Sequence, residues 1–195
     1  MPHLPPVTKA FLLACVGLFC LPLVVTPIQP LLDWFALWPI RTGDFYPWQV
    51  VTYAFLHANF LHLFFNMLGL WMFGPELERV WGGPRYAQIL LASTLSAALV
   101  QLLVTWMMGS GSPTIGASGA LYGLLLSFGM LFPDRIIVPL IPPIPMKAKY
   151  FVAIFGGLEL FWGYSNSDGV AHFAHLGGML GAYLLIRYWR MSRRR

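Results

Sequence analysis

Six apolar runs, each near the length needed to cross a bilayer, leave this chain few folds to choose from. On a template of about 20 consecutive apolar residues per span, they fall at 8–26, 58–80, 85–107, 115–132, 148–164 and 171–190 of the 195 residues. Composition agrees, with 58% of residues hydrophobic and 10% charged, where a soluble domain carries about 25% charged residues. The runs are continuous rather than alternating, so the expectation is an all-α polytopic membrane protein, one domain of six packed transmembrane helices. The first run reads as a retained span rather than a secretory signal, because its basic flank is only Lys9 and no small-x-small cleavage site precedes Pro27. Cys15 and Cys20 lie inside that run and read as packing residues, not as a disulfide.

Between the first two spans, residues 31–57 mix Trp34, Phe35, Trp38, Tyr46 and Trp48 with Asp33, Arg41 and Asp44. Amphipathic rings beside scattered charges suit the headgroup level, so short interfacial helices are expected there, lying in the membrane without crossing it. Orientation follows from the basic residues. Of the 12 lysines and arginines, all but Arg41 fall on the side that the two termini share with the loops after spans two and four. Both termini are therefore expected in the cytoplasm. The basic tail ending in Arg193, Arg194 and Arg195 suits anionic lipid headgroups rather than nucleic acid.

Polar and ionisable groups at lipid depth are costly, which makes each a functional candidate. These are His62, Asn66, Ser118, Glu159, His172 and His175. Ser118, His175 and the pair His62 and Asn66 lie in three different spans, yet all fall just inside the same outer surface. Small residues then permit close approach. Gly119 and Gly123 form a small-xxx-small face beside Ser118, and Gly177, Gly178, Gly181 and Ala182 follow His175. A serine hydroxyl meeting an imidazole is the requirement for a nucleophile and its general base. Tyr122, four residues after Ser118, shares its helix face and is placed to pack on the histidine ring. His62 and Asn66, also four apart, can both donate toward a developing oxyanion, joined by the Ser118 N–H. His172 lies three residues before His175, and periodicity does not separate the two. No aspartate lies at this depth, so a dyad is expected. Glu159 is expected to bond locally or face water, and His57 to make a structural hydrogen bond in the outer loop.

These residues carry a family resemblance. Gly116-Ala117-Ser118-Gly119 resembles the nucleophile box of the rhomboid intramembrane serine proteases, and Ala171-His172-Phe173-Ala174-His175-Leu176-Gly177-Gly178 resembles their last-span histidine motif. His62-Leu63-Phe64-Phe65-Asn66 is similar to their second-span H-x-x-x-N pattern, and Glu78 with Gly82 to their structural Glu-x-x-x-Gly feature. The resemblance implies Ser118 as nucleophile, His175 as base, and His62 and Asn66 as oxyanion donors. Tyr122, Gly116, Gly119 and His172 take supporting places. It implies a six-helix bundle of the basic bacterial form in the inner membrane, acting on transmembrane protein substrates from the bilayer, without metal or cofactor. The first-loop Trp-Arg pair of such families is here Trp48-Gln49, a departure that touches loop packing rather than chemistry. The polar stretch Ser165 to Gly169 is expected to cap the water path to the site.

Two other readings stand beside this one. Four histidines could supply zinc ligands in number, but there is no H-E-x-x-H. A related binding protein without catalysis would lack the serine, the histidine or both, and this chain keeps both.

Overall fold

The computed structural model describes residues 3–25, 28–140, 142–165 and 171–192. Arg193–Arg195 and all of the polar cap beyond Ser165 lie outside the described residues. Within them are eight α-helices: α1 (Pro6–Val24), α2 (Gln29–Asp33), α3 (Gln49–Thr52), α4 (Phe60–Trp81), α5 (Gly83–Met108), α6 (Ser118–Leu131), α7 (Ala148–Ser165) and α8 (His172–Ser192). One long helix overlaps each of the six apolar stretches. By length and apolarity alone, Pro6–Val24 and Gly83–Met108 qualify as membrane-crossing helices. The outward faces are apolar as well, with Leu99, Leu103, Met107, Phe161 and Leu184 all exposed, as befits a bundle that lacks a polar rind.

Helix α6 is the hub. Gly119, Ala120, Gly123, Leu124, Leu125, Ser127, Phe128 and Gly129 are all buried along its 14 residues, and α4, α5, α7 and α8 surround it. Backbone sits against backbone at this hub, where a Cβ on Gly178 of α8 would collide with the Gly119 carbonyl of α6; a Cβ on Gly123 would collide with the Ser93 side chain of α5. The α8 glycines divide their duties. Gly178 faces α6, whereas a Cβ on Gly177 would stand 2.9 Å from the Ser96 carbonyl and one on Gly181 would meet the Ala92 carbonyl, both on α5. The small-residue face read from the sequence thus serves two neighbours rather than one.

Basic residues gather at one end. Arg85 lies over Trp189, Arg135 pairs with Glu76 at 2.9 Å, and Asp134 holds Lys147 and Lys149 at 3.0 and 2.9 Å. Lys147 ends a short antiparallel hairpin, β1 (Ile136–Ile137) and β2 (Met146–Lys147), with Ile136 opposite Lys147, and Lys149 follows it. At the same end the Glu78 carboxylate accepts the N–H groups of Val7 and Thr8 at 2.9 and 2.8 Å and the Thr8 hydroxyl at 2.7 Å. Pro5, the residue before α1, offers no side-chain cap, so Glu78 supplies from another helix what the local sequence lacks.

Arg41 sits at the opposite end, over the ring of Trp106. There the 31–57 segment folds into α3 and two 3₁₀ turns, Ile40–Thr42 and Tyr53–Phe55. Gln49, fully buried, ties it together. Its Oε1 accepts from the Trp38 N–H at 3.2 Å, and its Nε2 donates to the Trp34 and Asp44 carbonyls at 3.1 and 3.0 Å. The departure at Trp48-Gln49 is therefore a satisfied polar knot. Cys15 is buried and Cys20 exposed, both as free thiols.

Candidate active site

The turn before α6 sets the site. Gly116 adopts φ 125°, a backbone region that side chains disfavour, and a Cβ there would stand 2.6 Å from His62 Nε2. Its N–H bonds the Tyr53 carbonyl at 2.9 Å, fixing where the helix begins. Ala117 precedes the helix without a side-chain cap, so the first-turn N–H groups of α6, that of Ser118 among them, lack a side-chain partner from their own cap.

Ser118 Oγ lies 2.8 Å from His175 Nε2. The Tyr122 ring is stacked on that of His175, centroids 4.4 Å apart and planes 1° from parallel. Ser118 is half-buried and His175 buried. The two histidines that periodicity leaves equivalent are distinguished by their partners: His175 meets the serine, while His172 turns its Nδ1 to Glu159 Oε2 at 2.6 Å.

His62 and Asn66 line the same groove as Ser118. Asn59 caps α4 by accepting the His62 N–H at 2.9 Å. The Ala58 N–H makes a long 3.5 Å contact to His62 Nδ1, which leaves the ring proton on Nε2, the nitrogen nearest Gly116. Asn66 donates one Nδ2 hydrogen to the His62 carbonyl at 2.8 Å, leaving the other hydrogen of that amide for a ligand. The groove encloses about 1460 Å³. Its walls include Phe65 and Met72 of α4 and Phe151 and Phe155 of α7.

One expectation is corrected, at Glu159. His57 lies in the outer loop with its imidazole against the Phe55 backbone and meets His62 edge-on at 5.1 Å. Burial, with a smaller contribution from His62, holds its imidazole down at about 4, hence neutral. Glu159 is neither local in its bonding nor wet. It is 5% exposed, accepts a short hydrogen bond from the Tyr122 hydroxyl through Oε1, and sets Oε2 between the Nδ1 atoms of His172 and His175, 2.8 Å from the latter. That oxygen lies off the Nδ1–H axis of His175, so distance and alignment part company: the pair is in contact, yet the nitrogen lacks an aligned hydrogen bond. His172 is likewise buried, at 5% exposure. Sequence reasoning underrated Glu159; the signal available was a lone carboxylate in an apolar helix.

Glu159, His172 and His175 offer three ligand atoms within 4.8 Å of one another. Their 2.6 and 2.8 Å contacts are hydrogen-bond lengths, shorter than the roughly 3.3 Å between ligand atoms that a tetrahedral zinc with bonds of about 2.0 Å imposes. The chemistry the set favours is proton transfer.

The Rhomboid domain family matches residues 44–192. The mitochondrial Rhomboid protein 1 of Saccharomyces cerevisiae is 33% identical over 139 residues, 68% of this chain and 39% of that protein. The Rhomboid protease GlpG of Yersinia pestis is 26% identical over 187 residues, 94% of this chain and 62% of that protein, and that of Yersinia pseudotuberculosis is equally similar. This chain thus spans less than two thirds of the length of these relatives. With the family's match running through every helix of the site, the chain is an integral, polytopic α-helical membrane protein and belongs to the rhomboid family.

Proposed function

We propose that this protein is an intramembrane serine endopeptidase that cuts transmembrane segments of single-span membrane proteins. The observation that carries this reading is the 2.8 Å contact between Ser118 Oγ and His175 Nε2, at the head of a buried helix in a rhomboid-family chain.

Helix α6, with 14 residues, is about 21 Å long at 1.5 Å per residue, short of a hydrocarbon core of about 30 Å. With its far end anchored at the basic, cytoplasmic face beside Arg135, the head of α6 stops below the outer surface. Ser118 therefore works inside the membrane. Both termini face the cytoplasm, the six-helix bundle is set in a bacterial inner membrane with α6 ending short of its outer surface, and the 31–57 segment lies in the outer leaflet. A substrate helix enters laterally between α4 and α7, where the groove opens. It unwinds locally, because helical hydrogen bonds otherwise hide the scissile carbonyl.

Ser118 Oγ then attacks that carbonyl as His175 Nε2 takes the hydroxyl proton. His62 Nε2–H, the free Asn66 Nδ2 hydrogen and the Ser118 N–H receive the oxyanion. The tetrahedral species collapses as His175 returns the proton to the leaving amine. Water, deprotonated by His175, then hydrolyses the acyl-enzyme. No step calls for a metal or cofactor, so cleavage is expected to survive strong chelation.

The test is cleavage of a transmembrane reporter in proteoliposomes. Ser118→Ala and His175→Ala each abolish it in folded protein, and Asn66→Ala lowers the rate by about 10²- to 10³-fold. Full activity in either dyad variant refutes the assignment.

A further inference from the structure

Glu159 is left without a task by this mechanism, although it touches the base directly. Its surroundings are unusual for a structural carboxylate. A buried ionised group needs donors to offset its desolvation, and fixed backbone amides serve that purpose elsewhere in the fold. Here the partners are two imidazoles and a phenol: one imidazole is the base itself, and the other two groups stand beside it. Tyr122, bonded to Oε1, is stacked on the His175 ring. His172 Nδ1 meets the same Oε2 at 2.6 Å.

The protonation state of the base supplies the argument. To accept the Ser118 proton at Nε2, neutral His175 has to carry its own hydrogen on Nδ1. That hydrogen requires an acceptor, and Glu159 Oε2 is 2.8 Å from Nδ1. We infer that Glu159 is the positioning residue of the base: its carboxylate selects the tautomer and ring orientation of His175 and stabilises the imidazolium formed when Ser118 attacks. This rests on the proposed protease function and extends it from a pair to a relay of three side chains drawn from α6, α8 and α7.

The incomplete alignment at Nδ1 fits this role. With His175 neutral, the carboxylate is divided among three donors, and the hydrogen bond to His175 is not aligned. Once His175 gains the proton from Ser118, its positive charge draws Oε2 onto the Nδ1–H axis. The interaction is then stronger in the tetrahedral state than in the ground state, the condition for lowering a barrier rather than merely tightening binding. Proton bookkeeping is simple. The proton travels from Ser118 Oγ to His175 Nε2, the Nδ1 hydrogen stays in place, and Glu159 remains ionised throughout.

The experiment compares full-length variants in proteoliposomes, measuring kcat and KM separately with a transmembrane reporter and following unfolding alongside. Glu159→Gln, which keeps the shape and removes the charge, is expected to lower kcat by about 10²-fold or more. The bound on such an effect is the roughly 10⁴-fold loss seen when the carboxylate of a soluble serine protease becomes an amide. KM and the unfolding midpoint are expected to stay near wild type. His172→Gln, which leaves the carboxylate on His175, loses less kcat than Glu159→Gln. A kcat within about threefold of wild type for Glu159→Gln overturns the inference. So does an effect confined to KM, which would make Glu159 a latch on α7, or a larger kcat loss in His172→Gln.

A second measurement needs no variant. With an organophosphonate on Ser118 Oγ and isotope-labelled histidine, the His175 Nδ1 proton resonates far downfield if it donates to a carboxylate; an ordinary imidazole shift overturns the inference. Ser118→Ala separates the levels. Cleavage by that variant refutes the protease reading itself, whereas an inactive Ser118→Ala beside a fully active Glu159→Gln refutes only the role of Glu159.

Discussion

Glu78 and Glu159 are both buried, at 3% and 5% exposure, and they lie toward opposite ends of the bundle. Glu78 is held by two backbone N–H groups and a threonine hydroxyl at the start of α1. None of these donors changes protonation near neutral pH, and the positive end of the α1 dipole adds a fixed attraction. Glu159 is held by Tyr122 and two histidines, donors whose charge or geometry shifts as a proton moves. A carboxylate on backbone amides joins two helices and stays silent in chemistry, whereas one on imidazoles is coupled to every proton the imidazoles handle. Two residues of one type and like burial thus acquire different roles from their donors.

The largest effect that bears on this contrast is expected at the silent carboxylate. Glu78→Ala leaves the first turn of α1 uncapped and costs about 3 kcal/mol, read as a lowered midpoint in reversible unfolding, while kcat per folded molecule stays at wild type. A kcat collapse at full stability would exchange the two roles. Next comes Tyr122→Phe, which keeps the ring stacked on His175 and deletes the hydroxyl on Glu159. It is expected to lower kcat by about three- to tenfold, the equivalent of one hydrogen bond, with little change in unfolding. A stability loss without a kcat loss would place Glu159 beside Glu78 as a structural anchor.

The smallest effect belongs to an exposed carboxylate. Hydrogen bonds from Lys149 and then Lys147 hold Asp134 below the usual aspartate range. Its stabilising contribution is therefore complete above that ordinary range and lost as pH falls through the lowered value. Solvent screens the pairs, so Asp134→Asn is expected to leave the unfolding midpoint unmoved at physiological salt. A shift that persists at high salt would show that burial is not what sets the first two carboxylates apart.

Much of this was readable before any coordinates. The depth at which Ser118, His175, His62 and Asn66 coincide depends only on counting residues from span ends, and the short side chains beside Ser118 and His175 declare a close helix contact. What could not be read is rotation. His172 and His175 are three residues apart and share nearly one face, so only the packing of α8 against α6 and α7 decides which ring meets the serine. Glu159 sits on a helix apolar on most of its surface, where no polar stripe says which way it turns. The division of Gly177 and Gly178 between α5 and α6 is hidden for the same reason. Adjacent glycines lie about 100° apart around a helix, and their neighbours are set by the third dimension.

The contact between Gly178 and the Gly119 carbonyl carries a consequence for how such a protein can diversify. Because backbone touches backbone there, Ser118 and His175 ride on what is mechanically one piece. Their spacing is set by a contact of main chain on main chain, with no side chain between them to repack. Change is therefore channelled elsewhere. Side chains can vary on the outward faces of α1, α4 and α7, while Gly178 at the α6–α8 seam admits not even a methyl group.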